Sequence, residues 1–328
     1  MTDSSAADDN GYLARRRARR DLTGKHVVIT GASSGIGRSA ALAVAEKGAV
    51  VFLMARRGEE LAVVVDEIKA AGGEAHGYQC DVTDADSVDA AITLILAEHG
   101  HVDMLVNNAG RSIRRAVHRS TDRMHDFERT MAVNYFGAVR MTLALLPQMR
   151  ERKFGHIVNI SSAGVQVATP RFAAYLASKA ALDKFAEVTA AEMFSDNVTF
   201  TTIHMPLVRT PMITPSGDQG TSTQSPEWAA ATIVRALSER PRRIDVPLGT
   251  LAEYGSLVAP AIKERVLHRY YRAIGDSPAA KGETVPEPET VDVEVVVPQR
   301  HRRTVPPAIR VTGTALRRAA RLVPGTHW

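Results

Sequence analysis

The sequence has one cysteine, Cys80, in 328 residues, which excludes an internal disulfide framework and suits a reducing compartment. No uninterrupted apolar run approaches the roughly 18–20 residues that span a bilayer. The first ten residues, MTDSSAADDN, are polar and acidic, unlike a secretory signal. We therefore expect a soluble, cytoplasmic protein, and the 45% hydrophobic content is enough for a sizeable core.

The excess positive charge is confined to the two ends of the chain. Of the net charge of +5, residues 1–24 carry +1 and residues 295–328 carry +7, which leaves about −3 for residues 25–294. A nucleic-acid-binding domain carries its positive charge on the folded surface, so we expect no nucleic-acid partner. Solvated tails are the simpler interpretation, and contact with an anionic membrane or an acidic partner is the alternative.

Short β-branched runs alternate with alanine-rich helical segments between residues 25 and 210. Strand-like runs occur at 26–30, 49–55, 103–110, 156–162 and 198–205, and helical segments at 37–47 and 59–71. This alternation predicts an α/β fold, a Rossmann-like doubly wound parallel sheet with helices on both faces. Ser225 and Pro226 predict the start of a later helix, as capping residue and first-turn proline.

We expect one domain over residues 22–277, with a polar, basic tail at 1–21 and a helical extension at 250–275 that Pro260 divides. Residues 278–328 are rich in proline and charge, and we expect them to be disordered. The segment 261–274 has an apolar stripe and basic residues elsewhere. We expect that stripe to pack on the core or on a neighbouring subunit; a membrane surface or an acyl channel is the alternative.

A glycine-rich loop, TGASSGIG, spans residues 30–37 between a predicted strand and a predicted helix. Glycines there let the backbone approach a pyrophosphate, which the N–H groups at a helix N-terminus stabilise. The predicted cofactor residues of this loop are Gly31, Ser33, Ser34, Gly35, Ile36 and Gly37.

About twenty residues later, where an acid would hold the ribose hydroxyl of NAD, the sequence has Arg56 and Arg57. Arginine forms charge-assisted hydrogen bonds with a phosphate. We therefore predict NADP(H), with Arg56 the better candidate; the alternative is that one or both are ordinary surface arginines.

Tyr175 and Lys179 stand one helical turn apart, so both project from one face of a helix. An ammonium beside a tyrosine lowers its pKa from the usual value near 10 towards one suited to proton transfer. Ser162 lies thirteen residues upstream at a predicted strand end, with adjacent Ser161 as its competitor. NNAG, which ends in Asn108, Ala109 and Gly110, and then Asn134 come earlier in the chain.

Together these motifs resemble the short-chain dehydrogenase/reductase family over about residues 22–212. The resemblance implies that Tyr175 is the proton donor, Lys179 binds the nicotinamide ribose and tunes Tyr175, and Ser162 binds the reacting carbonyl. It implies that Asn134 positions a water, and that the cofactor also contacts Asp81, Val82, Asn108, Ala109, Gly110, Val208 and Thr210. It implies a homodimer or homotetramer through the helices around Asn134 and Tyr175, a substrate lid at about 212–226, and no metal.

Three stretches differ from the general pattern of the family and point to one branch of it. They are NNAGRSIRR, MPLVRTPMI, in which Met-Pro stands where most members have Pro-Gly, and the extension to about residue 277. They are similar to the reductase domain of bacterial fatty acyl-CoA reductases, which implies an NADPH-dependent reduction of a fatty acyl-CoA thioester to an aldehyde. Arg111, Arg114 and Arg115 would then meet the CoA phosphates; solvated loop arginines are the alternative.

Two other functions fit the same residues. The first is reduction of a ketone or a 3-oxoacyl thioester to an alcohol at the same site. The second is a non-catalytic NADP-binding scaffold, which the serine, tyrosine and lysine set disfavours.

Overall fold

The computed structural model describes residues 21–213 and 223–281. The predicted N-terminal tail up to residue 20, residues 214–222 of the predicted lid, and residues 282–328 lie outside the described residues. Among the described residues, no helix combines the length and apolar character that a bilayer span requires.

Seven parallel strands form one sheet in the order β3-β2-β1-β4-β5-β6-β7. All six residues of β2 are buried, as expected for a strand covered on both faces. The strands are β1 (His26–Thr30), β2 (Val50–Ala55), β3 (Glu74–Gln79), β4 (Met104–Asn107), β5 (Gly155–Ser162), β6 (Val198–Met205) and β7 (Arg243–Ile244).

The predicted Rossmann-like parallel sheet is confirmed. Two strands were not predicted, because β3 has the polar sequence EAHGYQ and β7 has only two residues.

Helices cover both faces of the sheet and enclose two separate cores. Val44, Leu61 and Ile233 belong to the core on one face, and Ile95 and Leu145 to the core on the other. The helices are α1 (Gly35–Ala45), α2 (Gly58–Ala70), α3 (Ala85–His99), α4 (Met124–Met131), α5 (Ala138–Glu151), α6 (Ala163–Val167), α7 (Ala173–Glu192), α8 (Pro226–Glu239), α9 (Pro247–Val258), α10 (Pro260–Ala273) and α11 (Pro278–Lys281).

The strand order reverses between β1 and β4, which places their carboxyl ends on either side of a crevice. The hydroxyl of Thr30, the last residue of β1, accepts hydrogen bonds from the N–H groups of Asn108 and Ala109, each at 3.0 Å. The glycine loop after β1 and the NNAG loop after β4 are thereby tied together at the crevice.

The helical extension differs from prediction in part. Of the two places predicted for the apolar stripe of α10, the chain's own core is wrong among the described residues, since Ile262 and Val266 are 61% and 57% exposed, and a neighbouring subunit stays a prediction. The ordered chain also passes the predicted boundary at 277, because α11 follows it and Ala280 is buried.

Candidate active site

A cavity of about 1210 Å³ opens at the carboxyl edge of the sheet. Nearly all the predicted site residues line its wall, from Gly31 at one end of the set to Thr210 at the other. Two predicted residues, Gly37 and Asn134, do not line it and instead hold lining residues in place.

The glycine loop has the geometry that an anion-binding turn requires. Gly31 and Gly35 have φ of +66° and +55°, where residues with a Cβ are strained. A Cβ on Gly37 would lie 2.1 Å from the Gly31 carbonyl oxygen, so only glycine lets α1 approach β1 this closely. Ser34, the residue before α1, makes no side-chain capping bond, which leaves the first-turn N–H groups of α1 to a ligand.

Arg56 and Arg57, at the end of β2, differ in their surroundings although both line the cavity. Arg57 is bound to Glu60 at 2.8 Å in the first turn of α2. The Arg56 guanidinium has no hydrogen-bond or ion-pair partner within residues 21–213 and 223–281, and it repels the neighbouring Arg111. Arg56 is therefore the arginine that is free to receive an anion.

Asp81 and Val82 follow β3 at the cavity wall. The Asp81 carboxylate accepts from the Thr83 N–H at 2.9 Å and from the Thr83 hydroxyl at 2.7 Å, which fixes this turn. Gly137 lets α5 pack on Val82, because a Cβ there would come within 2.8 Å of a Val82 methyl group.

Ser162 and Tyr175 meet across the cavity from two different elements. Ser162 ends β5, and its oxygen accepts from the Gly164 N–H at 3.1 Å. Tyr175 lies in the first turn of α7. Burial raises the pKa of Tyr175, while a side-chain hydrogen bond with Ser162 lowers it and the Asp183 carboxylate raises it.

Lys179 lies one turn after Tyr175, and its side chain is 3% exposed. Its ammonium donates to the carbonyl oxygen of Ile160 at 2.6 Å and lies beside Gly110. Burial lowers the Lys179 pKa to about 8, and the Asp183 carboxylate opposes that fall. The hydrogen bond that lowers the pKa of Tyr175 therefore comes from Ser162. The Lys179 ammonium is instead bound to the Ile160 carbonyl of β5.

Asn134 lies in a π-helical segment (Ala132–Gly137), a feature frequent at functional sites. Its amide oxygen accepts from the Arg111 N–H at 2.8 Å, and its amide nitrogen donates to the Arg111 carbonyl and the Ser178 hydroxyl, each at 2.9 Å. The side chain thus joins the loop after β4 to α7. The role predicted for Asn134 in positioning a water stays a prediction.

The three arginines after NNAG have separate roles. Arg111 lines the cavity and is exposed. Arg114 is buried and donates to the Gly275 carbonyl at 2.8 Å, and Arg115 donates to the Ala280 carbonyl at 3.3 Å and pairs with Asp126. Solvation is wrong for Arg114, which is buried, and both side chains fasten the segment after α10 to the loop after β4, while CoA binding stays a prediction.

Several lining residues were not identified from sequence. They extend the cavity beyond Ser162 and Tyr175, and most are apolar: Phe172, Leu176, Leu207, Met212, Trp228 and Leu248. Leu176 and Leu207 stand beside quoted motifs, but Trp228 and Leu248 come from α8 and α9, whose packing against this edge has no local signal.

The model of the family described as short chain dehydrogenase matches residues 25–220. This chain belongs to the short-chain dehydrogenase family. It is 51% identical to an oxidoreductase from Mycobacterium tuberculosis over 80% of this chain and 78% of that protein. It is 46% identical to a protein named fatty acyl-CoA reductase from Acinetobacter baylyi over 94% of this chain and 97% of that protein.

A solved short-chain oxidoreductase from a metagenome, in complex with NADP, superimposes with a TM-score of 0.60 at 32% identity. The match covers 69% of this chain and 98% of that one. The short-chain dehydrogenase family binds NAD(P), and the residues here fit that cofactor. The glycines at positive φ, the uncapped start of α1 and the close approach at Gly37 together form the cradle it needs.

Proposed function

We propose that this short-chain dehydrogenase is an NADPH-dependent reductase that converts a fatty acyl-CoA thioester into an aldehyde. The observation that carries the proposal is the 46% identity to the fatty acyl-CoA reductase of Acinetobacter baylyi, which extends over 94% of this chain and 97% of that one. A match that includes the helical extension covers the segments that form the substrate side of the cavity.

The volume and the apolar lining of the cavity support a long apolar substrate. Its volume of about 1210 Å³ exceeds the roughly 300–1,000 Å³ of ordinary small-molecule pockets. The wall beyond Tyr175 is formed by apolar side chains such as Leu176, Trp228 and Leu248. We infer that this cavity holds an acyl chain beside the dinucleotide.

The residues of the chain supply proton transfer and charge stabilisation. The bound nicotinamide would supply the hydride. As negative charge develops on the thioester oxygen, Tyr175 donates its proton to that oxygen and the Ser162 hydroxyl donates a hydrogen bond. Ser162 is suited to this role because the Gly164 N–H already occupies an acceptor site on its oxygen. Collapse of the thiohemiacetal then releases the CoA thiol and the aldehyde.

Cys80, the one cysteine in the sequence, does not have the character of a nucleophile. It is 2% exposed, and burial raises the pKa of its thiol. A thiolate is the nucleophilic form, and burial disfavours it. We therefore infer that no acyl-enzyme thioester forms.

We propose NADP(H) rather than NAD(H), with Arg56 as the phosphate-binding residue. Arg56→Ala is expected to raise the KM for NADPH by about 10–100-fold, since a hydrogen bond to a charged group contributes about 1.5–3 kcal/mol. The KM for NADH should change little. Arg57→Ala should have a smaller effect, because Arg57 is bound to Glu60. An equal rise in the KM for NADPH and for NADH would show that Arg56 does not bind the phosphate that distinguishes the two cofactors.

The decisive test is product analysis of the full chain with NADPH and palmitoyl-CoA. We expect a trapped fatty aldehyde and free CoA thiol in equal amounts, with a lower rate when NADH replaces NADPH. A series of acyl-CoA lengths would define the chain-length range. Consumption of NADPH without aldehyde or thiol, together with an alcohol product from a ketone, would replace this proposal with carbonyl reduction.

We also propose assembly through α5, α7 and the π-helical segment. Their outward apolar side chains, Phe136, Leu143 and Val188, are each about half exposed in the single chain. Light scattering of the purified protein would distinguish a dimer or tetramer from a monomer.

A further inference from the structure

A buried histidine lies between two carboxylates, one of which is on α7, the helix that carries Tyr175 and Lys179. His204, near the end of β6, is 5% exposed. Its Nδ1 is 2.7 Å from Asp245 Oδ1, and its Nε2 is 2.9 Å from Asp183 Oδ2. A ring whose two nitrogens both face carboxylates is held as the doubly protonated imidazolium.

Asp183 continues the face of α7 that carries the catalytic pair. Tyr175, Lys179 and Asp183 are spaced four residues apart, so they lie on successive turns of one side of the helix. The second Asp183 oxygen, Oδ1, is buried without a hydrogen-bond partner among the described residues. The negative charge of the Asp183 carboxylate raises the pKa of both Tyr175 and Lys179 through space.

We propose that Asp183, His204 and Asp245 are positioning residues that set the protonation of the Tyr175–Lys179 pair. In this arrangement the Asp183 carboxylate favours the protonated pair, and the His204 imidazolium limits how far it does so. The proposal rests on the roles that the proposed function gives Tyr175 and Lys179, but not on the identity of the substrate.

Other charged groups surround this trio. Arg243 on β7 lies 3.3 Å from Asp245 and 2.7 Å from Glu253 on α9, and Gln166 on α6 donates to Glu253 at 3.0 Å. Further along α7, Glu187 is bound to Lys184 and attracted by Arg242 and Arg243. Since Asp245 has Arg243 as a second cation, Asp183 is the carboxylate whose field depends most on His204.

The test is the pH dependence of two charge-changing variants, Asp183→Asn and His204→Gln. Asp183→Asn removes a negative charge, so both groups of the pair lose protons more easily and the alkaline limb of kcat/KM moves to lower pH. His204→Gln removes a positive charge, so that limb moves to higher pH. Each shift should be on the order of one pH unit. The directions hold whichever group of the coupled pair releases the proton.

Asp103→Asn is the matched control. Asp103 is a buried carboxylate beside a histidine, His101, but it directly precedes β4 and therefore lies at the amino end of the strands, whereas His204 lies near the carboxyl end of β6. Replacing Asp103 should lower thermal stability and leave the alkaline limb of kcat/KM at its wild-type pH. If Asp183→Asn and His204→Gln shift the limb in the same direction, or not at all, the proposal is overturned.

Two further measurements keep the test independent of the substrate and of variant folding. The pH dependence of NADPH affinity, measured by fluorescence without acyl-CoA, should move to lower pH in Asp183→Asn and to higher pH in His204→Gln. A shift there in a protein that forms no aldehyde would overturn the proposed function alone. In the wild-type chain, nitrogen-15 spectra should show a histidine ring that stays doubly protonated at pH 8, since its pKa is raised to about 9. Spectra in which every histidine is neutral at pH 8 would overturn the trio's charge assignment.

Discussion

Replacing Tyr175 by phenylalanine is expected to lower turnover by about 100–10,000-fold, the range of a positioned general acid. The change removes the hydroxyl that donates the proton and keeps the ring, whose edge packs on Phe172 with centroids 6.4 Å apart. Cofactor affinity should therefore change little. Steady-state kinetics with NADPH and palmitoyl-CoA, with fluorescence titration of NADPH, would measure both quantities.

Tyr135→Phe is the control for this variant. Tyr135 packs against Phe136 and Phe185 and is not among the residues that line the cavity. The same loss of a hydroxyl there should leave turnover unchanged. NADPH oxidation that survives Tyr175→Phe undiminished would contradict the proton-donor role and favour a binding protein without catalysis.

Gly37→Ala is expected to weaken NADPH binding by about 5–150-fold and to lower thermal stability. The added methyl group would lie 2.1 Å from the Gly31 carbonyl oxygen and 2.5 Å from the Asn108 amide nitrogen. Because the first of these is backbone, the glycine loop or α1 must move. Overpacking of this kind costs about 1–3 kcal/mol, and each 1.4 kcal/mol is about tenfold in affinity. Fluorescence titration and thermal unfolding would measure the two effects.

Gly255→Ala provides the matched comparison, because Gly255 is also helical but has no atom within 4 Å of the added Cβ. That change should leave NADPH binding unchanged and stabilise α9 by up to about 1 kcal/mol, the helix-propensity difference. If Gly37→Ala behaves like Gly255→Ala, the loop does not depend on the close approach of α1 to β1.

The local sequence is sufficient to predict a feature of the structure when the residues that form it lie within a few positions of one another. The Tyr175–Lys179 spacing determines that both side chains share one face of a helix. The apolar strand followed by TGASSGIG predicts β1, the loop and α1, and the structure has all three. Ser225 caps α8 as predicted, with its hydroxyl accepting from the Trp228 N–H. Each of these is a short-range pattern with one physical solution.

Long-range partners had no local signal. The local sequence predicts Arg114 and Arg115 to bind a ligand or solvent, because their partners in the structure, the carbonyl oxygens of Gly275 and Ala280, lie about 160 residues further along the chain. The periodic apolar pattern of 261–274 correctly predicts helix α10. It does not specify what covers the apolar side of that helix, which is exposed in the single chain.

The sequence by itself therefore determined the parallel α/β fold and the residues that belong together along one strand end or one helix face. Only the tertiary structure decided that His204 meets Asp183 and Asp245, which are 21 and 41 residues away in opposite directions. The pairing of β6 with β7 and the packing of α7 on β6 bring the three side chains together. A charge network of this kind depends on distances between elements, and those are fixed by packing rather than by any pattern within a segment.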